Sequence, residues 1–168
     1  MKLKIIILIL CLNTTGLLAQ DYIQAVGYRG GFTNGITGKM FVDAETAYEG
    51  LVAFRYGGIH FAAYKLKHKA ANWKYSDKLF VFTGFGVHAG FFNNYDTYNF
   101  LSPFRATYKR NITYSVIGLD GVLGLEYRFI KHPFVAAIDF NPFFDLFGPN
   151  YFNMHINNFA ISIKYCLQ

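Results

Sequence analysis

Five histidines stand at positions 60, 68, 88, 132 and 155, and acidic residues at 120, 126, 139 and 145 fall among them. Imidazole next to carboxylate is the raw material of general acid–base catalysis and of metal binding. The spacing favours neither. No two His lie four apart, as on one helix face, or two apart, as on one strand face. The chain has no GxSxG, HExxH, CxxC or GxxxxGK[ST] motif. Gly84-Phe-Gly86 opens a partial match to a dinucleotide loop, but the spacing to Gly90 is wrong and no helix pattern follows. Asn111-Ile-Thr113 matches a glycosylation sequon and is read as chance. A hydrolytic set would need Ser, His and an acid near one rim. Ser102 and His155 lie in segments that read as loops, and nothing in the sequence brings them together.

His88 sits among Gly84, Gly86 and Gly90 at every second position. It reads either as a general base or ligand, or as an interior hydrogen-bond partner, and the second is preferred. Asp120, Glu126 and Asp139 read either as a catalytic carboxylate set or as partners of Arg29, Lys39, Arg55, Arg128 and Lys164. Pairing is preferred, because buried charges persist by pairing. A basic stretch carries Lys65, Lys67, Lys69, Trp73, Lys74 and Lys78. In a soluble protein it would suggest a nucleic-acid patch. At a membrane it suggests contact with anionic headgroups, with Trp at the interface. A plain solvated turn is the simpler alternative.

The elements that would position these residues are strands. Alternation of period two gives eight, at roughly 23–32, 36–43, 46–56, 58–68, 79–92, 114–129, 133–147 and 157–167. Turn chemistry separates them at Asn34-Gly35, Asp43, Gly57-Gly58, Lys131-His132-Pro133 and Gly148-Pro149-Asn150. No linker or composition break divides them. The chain of 168 residues is 53% hydrophobic, 20% aromatic and 15% charged. That excludes disorder, which is poor in aromatics and rich in charge. A helical bundle is disfavoured, and two Cys exclude a disulfide scaffold.

Residues 1–19 read as a cleaved signal peptide, with Lys2 and Lys4 ahead of the apolar run Ile5–Leu12 and Ala19 at the cut. That run is too short for a spanning helix. Cleavage leaves residues 20–168 as one barrel domain. It removes Cys11, leaving Cys166, and leaves 14 basic against 10 acidic residues, a net charge of +4.

Each strand has two unlike faces. In the sixth, Ile117, Leu119, Leu123, Leu125, Tyr127 and Phe129 oppose Gly118, Asp120, Val122, Gly124, Glu126 and Arg128. In the eighth, Phe159, Ile161, Ile163, Tyr165 and Leu167 oppose Ala160, Ser162, Lys164 and Cys166. A soluble sandwich would carry long polar side chains on its wet face. Small residues with isolated charges of both signs suit the inside of a narrow barrel, with the large face toward lipid.

On these features the chain resembles the small eight-stranded bacterial outer-membrane barrels, of the outer-membrane protein A transmembrane-domain or outer-membrane protein X type. The carriers are the leader, the eight alternating strands, the segments Val26–Gly31, Thr83–Gly90 and Ile117–Tyr127, and the last strand Asn158–Gln168. The family's last strand ends in an aromatic read by the assembly machinery. Here Tyr165 and Leu167 fit that pattern and Gln168 follows.

The expected fold is an all-β, eight-stranded antiparallel up-and-down transmembrane barrel. The expected role is structural or interactive, without catalysis. The alternatives are a lipid-modifying enzyme on the same barrel and a soluble lipocalin-like binder with inverted faces. No cofactor, metal or nucleic acid is expected. The partners are membrane lipid and, during insertion, the assembly machinery; the chain is expected to be a monomer. The inward set is Arg29, Lys39, Glu49, Arg55, His88, Asp120, Glu126, Arg128, Asp139, Asp145 and Lys164, five cations against five acids plus His88. Counting strands places 93–113 at one end and the basic 67–78 segment at the other, with both termini.

Overall fold

Aromatic and β-branched residues alternating with small or polar ones favour extended backbone. The computed structural model is built from it, and describes residues 22–55, 58–74, 76–93, 95–96, 109–110, 113–148, 153–156 and 158–167. The leader, Ser102 and the sequon Asn111 lie outside these residues. The strands are β1 (Gln24–Gly31), β2 (Asn34–Phe41), β3 (Thr46–Arg55), β4 (Gly58–Ala70), β5 (Leu79–Phe92), β6 (Tyr95–Asp96), β7 (Lys109–Arg110), β8 (Tyr114–Arg128), β9 (Phe134–Phe140), β10 (Phe143–Phe147), β11 (Asn153–His155) and β12 (Phe159–Leu167). Among the described residues no helix is long and apolar enough to cross a membrane, which says nothing of strands.

All pairings are antiparallel. β1 to β5 pair in sequence, β5 pairs with β8, β8 with β9, β9 with β12, and β12 returns to β1. That circuit closes a barrel of eight strands. β10 and β11 pair with each other, and β10 also pairs with the first part of β8. They therefore continue the seventh and eighth wall positions beyond β9 and β12. β6 and β7 pair only with each other.

Closure gives the two faces of each strand different solvents. Phe85, Ile117, Ile161 and Phe159 point outward, the last two 62% and 60% exposed. Arg29, Lys39, Glu126 and Lys164 point inward and are buried. A lipocalin needs the opposite arrangement, with apolar side chains around the lumen. The fold is thus an all-β, eight-stranded antiparallel barrel of the transmembrane kind.

His155 lies in strand β11 rather than in a loop, and three further details differ from the sequence reading. The first turn is Phe32-Thr33, and Asn34-Gly35 open β2. Thr33 is buried beneath the turn and accepts a hydrogen bond from Arg29, which sets the inward row Thr33, Gly35, Thr37 and Lys39. Gly35 is needed for closeness, since a Cβ there would meet the backbone of Val52 and Ala53. Asn34 Oδ1 instead accepts from Gly31 N at 2.9 Å. Second, the 133–147 strand breaks at Asn141-Pro142, because proline cannot donate to the ladder. Gly121 N reaches Pro142 O at 2.8 Å, Asn141 Nδ2 donates to Gly121 O at 2.9 Å, and Asn158 Nδ2 donates to Asn141 Oδ1 at 2.9 Å. Third, β4 runs on to Ala70, so the basic segment is half strand and its turn is 71–78. There Asn72 takes the left-handed backbone (φ 48°) that asparagine tolerates. The Asp43 turn holds as read. Amides of Glu45 and Thr46 donate to Asp43 Oδ1 at 2.9 and 2.6 Å and lower its carboxyl pKa.

Rings inside the barrel lie on glycines of the neighbouring strand. Tyr64 pairs with Gly86, His88 with Gly118 and Phe82 with Gly124, and in each case a Cβ on the glycine would strike the ring. The glycine leaves room for a side chain that must lie flat along the wall. Gly86→Ala should therefore lower the thermal transition in detergent, at an overpacking cost of about 1–3 kcal/mol. Gly38→Ala, where nothing lies within 4 Å, should leave the transition unchanged. Circular dichroism melts of the two variants check the pair.

Candidate functional site

Buried carboxylates and ammonium groups must find each other, since isolated charge in low dielectric is very costly. Lys39 on β2 and Glu126 on β8 occupy opposite positions around the eight-strand circuit. Their side chains meet across the lumen, with Nζ 2.7 Å from Oε2 and neither side chain exposed. Glu126 also accepts from the Tyr22 hydroxyl at 2.9 Å and from Arg128 Nε at 3.2 Å, and His68 Nε2 lies 3.5 Å away. Lys39 continues to Glu49 at 3.2 Å, and Glu49 to Lys164 at 3.0 Å. Thr37 donates to Glu49 at 2.6 Å, and Lys164 to Ser162 at 3.2 Å. One network thus ties β2, β3, β4, β8 and β12 together. The Arg128 guanidinium lies 3.8 Å from the Phe80 ring centroid and 5.1 and 5.2 Å from those of Tyr22 and Phe41.

Above it, Arg29 on β1 grips Asp139 on β9 through two guanidinium nitrogens. A third cluster lies toward the other end. His88 Nδ1 is 2.8 Å from Asp120 Oδ2, and Nε2 is 2.9 Å from Asp145 Oδ1. His155 Nε2 is 3.4 Å from Asp145 Oδ2. The rings of His60 and His88 stack at 5.1 Å, and Phe143 stacks on His155 at 4.6 Å.

This geometry sorts the candidate chemistry. His88 lies between two carboxylates, with both ring nitrogens within hydrogen-bond distance of Asp120 and Asp145, so neither nitrogen faces an open position as a base or ligand. Glu126 is saturated by cations and a phenol. Among the described residues no group of three His, Cys, Asp or Glu is placed to hold a metal ion. His155 is committed to Asp145 and Phe143. The Arg55 side chain lies outside the described residues. The basic residues divide. Lys65, Lys67 and Lys69 project outward from β4, Trp73 and Lys74 are exposed in the turn, and Lys78 is half-buried.

Several interior residues were not singled out from the sequence: Tyr22, Thr33, Thr37, His60, Tyr64 and His68. Period two along β4 puts His60, Ala62, Tyr64, Leu66 and His68 on one face, and that signal would have found three of them. Tyr22 precedes β1, outside any alternation.

Glu126→Ala leaves Lys39, His68 and Arg128 facing each other with only Glu49 nearby, and should cost about 3 kcal/mol. Leu125→Val on the outward face should cost much less. Lys39→Met combined with Glu126→Gln should recover part of the loss, because both charges leave together. Thermal melts of the four proteins in one detergent check the order.

No protein-family model and no curated protein matches the sequence. Among solved structures the chain is similar to the crystal structure of the N-terminal β-barrel domain of Pseudomonas aeruginosa OprF. The TM-score is 0.50 at 13% identity, covering 88% of this chain and 100% of that one. At that identity the likeness is one of fold, and it agrees with the closed antiparallel β-barrel described above.

Proposed function

We propose that the protein is an integral outer-membrane barrel with a side-chain-filled interior, acting as a structural or interaction element without catalysis. The observation that carries this reading is the inversion of its two surfaces. The outer wall presents Ile36, Phe54, Phe85, Ile117, Ile161 and many similar residues on every side, whereas soluble monomers rarely expose large contiguous apolar patches. The lumen holds cross-linked charges and rings. Eight strands enclose a space only wide enough for side chains, and Lys39–Glu126 crosses it. The fold likeness to the OprF barrel domain agrees with this reading.

In the same reading, residues 1–19 direct export and are cleaved, and the mature chain is inserted as a monomer by the outer-membrane assembly machinery. The alternating last strand, β12, suits that handling.

The mature protein should sediment with outer membranes and resist urea extraction. Recovery as a soluble periplasmic monomer overturns the reading. Planar-bilayer recordings of the wild type should show no stable open channel. Steady porin-sized conductance would mean a wet lumen and a transport role.

A further inference from the structure

The inward charges satisfy one another, but two of the three outward lysines of β4, Lys65 and Lys69, find no acid among the described residues. Lys65, Lys67 and Lys69 alternate with the buried Leu66 and His68, so all three project from the wall on the face that carries Ile59 and Phe61. Lys65 pairs in register with Tyr48 on β3 and Phe85 on β5, both outward-facing. On β4 it stands where the outward apolar row of Ile59, Phe61 and Ala63 ends. Lys67 stands between Thr46 and Thr83, two hydroxyl-bearing residues. It pairs with Glu45 at 3.6 Å, with both side chains more than half exposed, and Asp43 in the same turn also feels its charge. Lys65 and Lys69 have no acidic partner among the described residues. Four residues of strand span about 14 Å, enough to run from the acyl boundary into the headgroup layer. Trp73, Lys74 and Lys78 follow in the turn, with Asp77 as that turn's acid. Tyr48, Tyr127 and Tyr165 mark the same end of the barrel on the outer wall.

We propose that the lysine row of β4 is a binding site for the phosphate of an anionic phospholipid, in the leaflet at the end of the barrel that holds the chain termini. This rests on the membrane reading above. A lysine at the edge of hydrocarbon lays its aliphatic stem on the wall and turns its ammonium group toward the headgroups. Lys65 and Lys69 meet a counter-charge there only in lipid. Lys67, with Thr83 beside it, offers an ammonium and a hydroxyl to the same phosphate. The site recruits anionic lipid to one sector of the wall, the β3–β5 side.

Trp73 is the single tryptophan of the chain and stands beside the row, so its fluorescence reports which lipids are near. The full chain is folded into phosphatidylcholine vesicles containing a minor fraction of brominated lipid, either phosphatidylcholine or phosphatidylglycerol. Near-surface attraction of anionic lipid amounts to about fivefold per lysine at most. Brominated phosphatidylglycerol is therefore expected to associate at least about threefold more strongly than brominated phosphatidylcholine. Lys65→Gln with Lys69→Gln should abolish the preference, and Lys131→Gln in the turn before β9 should keep it. Circular dichroism melts confirm that each variant is folded. Equal quenching by the two lipids overturns the site while leaving the membrane reading intact. A preference that survives the double replacement overturns its assignment to these lysines. No quenching by either lipid overturns both the site and the membrane reading.

Discussion

The contact between Lys39 and Glu126 constrains everything around it. A charge pair at 2.7 Å across a lumen requires that β2 and β8 face each other at a fixed separation. Hydrocarbon outside the wall cannot solvate charge, so the barrel's ionic groups are driven inward and must neutralise one another there. Glu126 gathers Lys39, Arg128 and Tyr22, and Lys39 passes the link to Glu49 and Lys164. This part of the interior behaves as one salt cluster whose members come from five strands, apart from the Arg29–Asp139 pair and the His88 cluster. The register of those strands is fixed as much by these contacts as by the backbone ladder. A slip of one residue would turn Lys39 or Glu126 into lipid.

The strands were legible because alternation is strong wherever one face meets lipid and the other a crowded lumen. Phe159, Ile161 and Ile163 against Ala160, Ser162 and Lys164 admit one arrangement. The glycines of β5 were legible as an inward row, but not the rings they accommodate. Alternation puts Tyr64 and Phe82 on the inward face, but only the register sets them over Gly86 and Gly124. The expectation of small residues with isolated charges inside left out these rings: small residues on one strand make space for large ones on the next. The first turn was misplaced for a related reason. Asn-Gly is a strong hairpin signal, but here Gly35 serves a close strand approach, and the turn falls two residues earlier.

The buried charges could be named one by one from the faces of single strands. Their partners could not, because partnership crosses the barrel. Nothing local to residue 39 points to residue 126. The same holds for His88, which gains Asp120 from a neighbouring strand and Asp145 from a hairpin far along the chain.

The break at Asn141-Pro142 divides the wall mechanically. Below it, β9 and β12 share a continuous ladder with their neighbours. Beyond it, the β10–β11 hairpin is held by a short ladder to β8, by the amide clasp of Asn141 and Asn158, and by the imidazole bridge from Asp145 to His88. The ladder is interrupted at that seam, so the hairpin forms a unit that can open locally. Changes of sequence in the hairpin are thereby insulated from the stability of the cylinder that carries it.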